Sequence, residues 1–419
     1  MSAPSWRHLV AVFGRIGVLS FGGPAAQIGL MHRVLVEEER WLDERAFLNA
    51  LGFCTFLPGP EAMQLATYAG WRLRGVGGGL LAGLLFVLPG AAVVLALSMA
   101  YAAWGDVPAL EAVFLGIKSA VLVIVVEALL RIARRALTGA EAWGVAVAAF
   151  AGLFLFALPY PLIVAAAAAY GALRLTAATA ETAPPPAVRW SRTLGTVAVW
   201  GAVWAVPLAL VGPLTGWPIL TEVGLFFSQL AVVTFGGAYA VLAYMAQEAV
   251  VAQGWLTAGE MLDGLGLAET TPGPLILVTQ FVGYLAGHGQ GGWSLGLAAA
   301  AVTLWATFAP CFLWIFAGAP YVDWIAGQRR LAGAMAGITA AVVGVIANLS
   351  LWFTLHVLFA EVARREAGPL TLWVPDPATL DPRVLALAAL AAALLLWRRW
   401  GVAPTLGACA LAGLAIAAL

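Results

Sequence analysis

From residue 75 to residue 105 the chain carries no charged side chain, and comparable runs recur along its length. A hydrocarbon core about 30 Å thick is crossed by about 20 apolar residues in a helix, which closes its own backbone hydrogen bonds. Residues 110–130 meet this test with only Glu111, Lys118 and Glu127, and residues 142–173 meet it with no charge, broken by Pro159 and Pro161 into two spans joined by a tight turn. Further spans are predicted at 194–211, 293–318, 332–359, 384–397 and 402–419. Composition agrees: 63% of the 419 residues are hydrophobic and 10% charged, against about 25% charged in ordinary soluble chains. A soluble domain is excluded.

The 21 basic and 21 acidic residues balance, and the basic ones form small separate clusters, which excludes nucleic acid as a partner. Cys54, Cys311 and Cys409 lie far apart without a CxxC spacing, so neither a disulfide framework nor a thiolate metal site is expected. No metal and no cofactor is expected. Arg15 interrupts the first apolar run and no small-residue cleavage site follows, so no secretory signal is read there.

Four regions, 9–37, 46–71, 222–252 and 258–287, are apolar but interrupted by Gly, Pro and charge. Broken helices survive at membrane depth only where protein or a water-filled cavity shields the freed backbone groups. These regions are candidate re-entrant elements.

The same regions contain an internal repeat. Ser20-Phe21-Gly22-Gly23 recurs as Thr234-Phe235-Gly236-Gly237, Trp41-Leu42 as Trp255-Leu256, and Leu57-Pro58-Gly59-Pro60 as Thr271-Pro272-Gly273-Pro274, all at an offset of 214. With a gap absorbed, Pro89 matches Pro310, and Gly116-Ile117-Lys118 matches Gly337-Ile338-Thr339. The predicted organisation is a first repeat over 1–175, a linker plus one unmatched span over 176–221, and a second repeat over 222–419. The unmatched span turns the second copy upside down if each copy crosses an even number of times. Lys and Arg favour cytoplasmic loops, and Arg72/Arg74, Arg131/Arg134/Arg135, Arg174/Arg189/Arg192, Arg329/Arg330 and Arg398/Arg399 fall inside under that scheme; Arg364/Arg365, diluted by Glu361 and Glu366, fall outside. The fold class expected is therefore an all-α polytopic membrane protein of two homologous halves in inverted topology, its N-terminus in the cytoplasm. Secondary transporters share this architecture, with substrate near the midplane.

Phe21-Gly22-Gly23-Pro24 strips side chains from a turn and places proline to open a new helix; the two Pro-Gly-Pro segments repeat the logic. Each should end one half-helix and begin another. A half-helix start presents unsatisfied N–H groups and the positive end of the dipole, an anion site; taken singly, each break is equally well a packing kink.

Together with Glu61-Ala62-Met63-Gln64-Leu65-Ala66-Thr67-Tyr68, Ala238-Tyr239, Glu269-Thr270 and Leu275, these segments resemble the chromate ion transporter family in its long form with two homologous halves. The resemblance covers nearly the whole chain. It implies export of chromate from the cytoplasm across a bacterial-type cytoplasmic membrane and chromate resistance, with sulfate as the isosteric oxyanion to be rejected or carried as well. Thr55 departs from the amide usual in relatives two residues before Leu-Pro. The helix breaks and the polar residues near them make the substrate-binding candidates Ser20, Phe21, Gly22, Gly23, Pro24, Pro58, Gly59, Pro60, Gln64, Lys118, Thr234, Phe235, Gly236, Gly237, Thr270, Thr271, Pro272, Gly273, Pro274 and Gln280.

Lys118 is the only lysine and sits mid-span, where a charge costs about 2.5–3.5 kcal/mol. It either attracts a dianion or pairs with a carboxylate such as Glu61 or Glu269. Arg15, Glu61 and Glu269 are the candidates for coupling or charge pairing. An acid such as Glu61 is also favoured at a helix start without any further role. Gln64 and Gln280 either donate to an oxyanion or tie helices together, and Ser20 and Thr234 either bind substrate or bond to backbone. Glu127 precedes Arg131 by four residues, an ordinary helix pair. Gly75, Gly79 and Gly83, like Gly333 and Gly337, read as close helix packing. The partners expected are the lipid bilayer, a chromate- or sulfate-like oxyanion and, as an option left open, a second copy of the chain. The rival from another class, a membrane-embedded enzyme, lacks a His/Asp/Glu constellation in the sequence.

Overall fold

The computed structural model describes residues 4–21, 23–105, 107–175, 190–235 and 238–418. The interdomain linker with Arg189, and Gly22, Gly236 and Gly237 of the Phe-Gly-Gly breaks, lie outside them. The chain is an all-α polytopic membrane protein of two homologous halves, with five helices among the described residues long and apolar enough to cross a bilayer.

The offset of 214 is visible element by element. In the first copy α1 (Trp6–Leu19) leads to α2 (Gly23–His32), a π-helical turn (Arg33–Glu38), α3 (Glu44–Phe56) and α4 (Glu61–Trp104). After α5 (Pro108–Ala136), α6 (Ala140–Phe154), α7 (Tyr160–Arg174) and the unmatched α8 (Trp190–Thr215), the second copy repeats them. Its elements are α9 (Pro218–Val233), α10 (Ala238–Ala246), a π-helical turn (Gln247–Ala252), α11 (Ala258–Thr270) and α12 (Val278–Gly318), the last preceded by a 3-10 turn (Leu275–Leu277). Equivalent caps start α3 and α11: Asp43 Oδ1 accepts from the Ala46 N–H at 2.7 Å, and Thr257 with Glu260 closes a reciprocal capping box.

As one straight rod α4 would be about 66 Å long, twice a bilayer core. It is not straight. Arg74 and Gly75 are non-helical, Gly75 at φ 62°, and Gly291 and Gly292 interrupt α12 in the same way. A Cβ on Gly70 would strike Gly78 and Ala82, so the two limbs fold back on each other. Gly75 therefore makes the reversal and meets nothing within 4 Å, which corrects its reading as a packing residue; Gly79 and Gly83 do pack, against Phe316, Thr67 and Phe312.

The last elements are a short α13 (Val322–Ala326), α14 (Arg329–Leu358), a hairpin of β1 (Val362–Ala367) and β2 (Leu370–Pro375), α15 (Pro382–Ala392) and α16 (Val402–Ala417). The hairpin was not expected. It is antiparallel, pairs Val362 with Pro375 and turns at Gly368, φ 61°. It occupies the loop holding Arg364 and Arg365.

The compact units of the chain are not the sequence halves. One comprises 1–99, 178–238 and 271–329; the other comprises 100–177, 239–270 and 330–419. Within the second unit the copies exchange partners. First-copy α5 packs on second-copy α15 and α16, with Gly116 against the Cys409 carbonyl and Gly413 against that of Ala112. Second-copy α14 packs on first-copy α7, with Gly337 against the Ala167 carbonyl and Gly171 against that of Gly333. These are equivalent crossings, both made by small residues that let helix backbones touch.

Candidate functional site

Proline cannot continue a helix interior because it lacks the N–H and crowds the preceding turn. Pro58 and Pro60 therefore end α3 and open α4, and between them Gly59 holds φ 115°. Gly273 does the same at φ 92°. A Cβ on Gly59 would lie 2.9 Å from Cys311 Sγ and Gln64 Nε2, and one on Gly273 2.9 Å from Leu277 Cδ1.

Both glycine N–H groups are donated to the other copy. Gly59 N–H bonds the Thr234 carbonyl at 2.8 Å and Gly273 N–H bonds the Ser20 carbonyl at 2.7 Å. Ser20 is equivalent to Thr234, and Gly59 to Gly273, so one contact is made twice. The hydroxyls of these two residues turn back on their own helices, Ser20 Oγ to the Ile16 carbonyl at 2.6 Å and Thr234 Oγ1 to that of Leu230 at 2.5 Å. All of this lies in the first compact unit.

A small cavity lies at the crossing, lined among others by Pro24, Gln27, Gly59, Glu61, Thr234 and Pro274. Three helix starts border it: those of α2, of α4 and of the turn leading into α12. Their first N–H groups have no partner within the helix, and the dipole favours an anion there. Glu61, in the first turn of α4, puts a carboxyl group in the same cavity. Gln27 was not singled out from the sequence. It is 1% exposed, and its Nε2 donates to the Gly273 carbonyl at 2.7 Å. The signal was available: it is the only amide in α2, and its equivalent in the second copy is Val241.

Other predicted residues fall at varying distance from this cavity. Gln64 is buried and caps its own break through the Pro58 carbonyl at 2.7 Å; Gln280 is buried and does not line the cavity. Thr270 Oγ1 bonds the Leu267 carbonyl at 2.8 Å, Thr271 is buried, and the Pro272 carbonyl abuts Gly90. Phe21 is 46% exposed, Phe235 half-buried, and Gly23 starts α2 at φ 78°. Arg15 pairs with Glu38 at 2.5 Å on an exposed face, and Glu127 pairs with Arg131 as expected. Glu269 stands in the last turn of α11.

Lys118 belongs to the second unit, and its partner there is Asp263, which the sequence reading did not name. Lys118 Nζ lies 3.0 Å from Asp263 Oδ1, and Tyr101 donates its hydroxyl to Asp263 Oδ2 at 2.8 Å. Asp263 is buried. A cleft of about 560 Å³ opens beside the pair, lined also by Glu111, Glu260 and Arg383. The equivalents of Asp263 and Lys118 in the other copies are Asn49 and Thr339. Two charges that appear together where the repeat is neutral are a sign of pairing.

The family model for the chromate transporter matches residues 7–172 and 221–414. The chain belongs to the chromate transporter family. It is 35% identical over 355 residues to a chromate transport protein of Pseudomonas aeruginosa, covering 82% of this chain and 79% of that one. To a chromate transport protein of Cupriavidus metallidurans it is 30% identical over 354 residues, covering 82% of each. No solved structure matches this chain. Both crossed breaks of this chromate transporter family member fall inside the matched stretches, whereas α8 lies between them.

Proposed function

We propose that this chain is a secondary transporter that exports chromate across the cytoplasmic membrane and so confers chromate resistance, with its two copies inverted and its N-terminus in the cytoplasm. The observation that carries the reading is the cavity at the crossed breaks, where three helix starts meet among the breaks of both copies. Residues from both copies bordering one cavity are what a midplane site between repeats requires, and the clustering of Arg in alternate loops supports the orientation. The names of the relatives support chromate as cargo.

The membrane potential favours export. Each negative charge moved out of a negative interior gains about 2.3 kcal/mol per 100 mV. Chromate flux from loaded vesicles should then follow an imposed potassium-diffusion potential with no pH gradient. Cells expressing the protein should accumulate less chromate than vector controls; equal accumulation would reject chromate export. Sulfate, isosteric with chromate, is the second reading, and full relief of chromate transport inhibition by sulfate removal would favour it.

A further inference from the structure

The cavity at the breaks holds acceptors as well as donors. Gln27 Nε2 is occupied by the Gly273 carbonyl at 2.7 Å and faces that of Ser20 at 3.5 Å. Turning the amide over would set its oxygen against two carbonyl oxygens, so its orientation is fixed. Gln27 Oε1 is then left buried with no hydrogen-bond partner. Buried polar atoms are almost always partnered, and an exception in a cavity asks what its partner is. Glu61 is the one titratable side chain among the described residues lining the cavity. On the neighbouring α1 and α2, Arg15 pairs with Glu38, and His32 with Glu37 and Glu44.

A bare tetrahedral dianion accepts hydrogen bonds and cannot donate one. It would satisfy the helix starts, leave Gln27 Oε1 unpaired and face the Glu61 carboxylate. The same ion with one proton satisfies both sets. We propose that this cavity binds the singly protonated oxyanion, hydrogen chromate, its O–H donating to Gln27 Oε1 while its other oxygens accept from the helix-start amides. This deepens the transport reading and rests on it. Chromate takes its first proton near neutral pH, whereas sulfate does so only in strong acid. The two ions of like shape would thus be told apart by a proton, and sites built around a required hydrogen bond reject analogues that lack it by large factors.

The test is equilibrium binding of radiolabelled chromate to the whole protein in neutral-lipid nanodiscs, with sulfate as competitor. Affinity should be at least about tenfold higher near pH 6 than near pH 8, because only the competent fraction of the ion binds, and a large excess of sulfate should not displace it. Glu61→Gln should keep both the pH dependence and the resistance to sulfate, since the proton is on the ion and Gln27 still requires it. Gln27→Leu should flatten the pH dependence and weaken binding at the lower pH. Wild-type binding that ignores pH and yields equally to sulfate would overturn the proposal, as would loss of the pH dependence in Glu61→Gln. Binding of neither ion at either pH would instead remove the cavity as the transport site.

Discussion

In one compact unit the breaks of the two copies exchange backbone hydrogen bonds, Gly59 to Thr234 and Gly273 to Ser20, and the contact is made twice. In the other, Lys118 of the first copy meets Asp263 of the second through side chains, at positions where the alternate pairing would hold Thr339 and Asn49. Any residue has a carbonyl, so the crossed breaks tolerate Ser against Thr and keep their symmetry while the copies diverge. A charge pair tolerates no such drift: both partners change together or a buried charge is stranded. At the symmetric place the first N–H groups of the helix starts have no partner within their helices. In the asymmetric place the two charges are already matched, which leaves Lys118 little pull on an anion.

The comparison breaks most readily at the pair. Lys118→Ala strands Asp263 and should cost about 3–5 kcal/mol, seen as a lower melting temperature of the purified protein and reduced resistance in cells. Lys118→Thr with Asp263→Asn, which copies the neutral residues of the other positions, should recover most of the stability; a double variant as unstable as the single would refute pairing as the role of Lys118. Next come the breaks. Gly59→Ala and Gly273→Ala each force a side chain into positive φ and into close contacts, a strain of about 1–3 kcal/mol, and chromate transport should fall similarly in both. Unequal losses would show that only one break serves the site. Tyr101→Phe removes one hydrogen bond to a charged partner and should cost about 1.5–3 kcal/mol in thermal unfolding. The smallest effect belongs to Arg15→Ala, whose exposed pair with Glu38 is worth about 0–1 kcal/mol; vesicle transport should stay at the wild-type level.

Much of the fold was readable because the copies are still in register. The single offset of 214 carries α3 onto α11 end for end, and the Pro-Gly-Pro segments mark their own breaks because proline and glycine act locally. Partner exchange was not readable, since Gly116 against Cys409 and Gly337 against Ala167 are long-range contacts between small residues that leave no periodic trace. Asp263 was hidden as one more acid on an interrupted helix, and only comparison with Asn49 marks it. Gln27 was passed over because its meaning lies in the Gly273 carbonyl, far along the chain. The β1–β2 hairpin had a local signal, Gly368-Pro369 between alternating residues, masked by the charges of Arg364, Arg365 and Glu366.

Anomalous scattering from crystals of the protein grown with chromate would locate the bound chromium. One peak is expected in the cavity lined by Pro24, Gln27, Gly59 and Glu61, within hydrogen-bonding reach of Gln27. A peak beside Lys118 and Asp263, with that cavity empty, would contradict this placement.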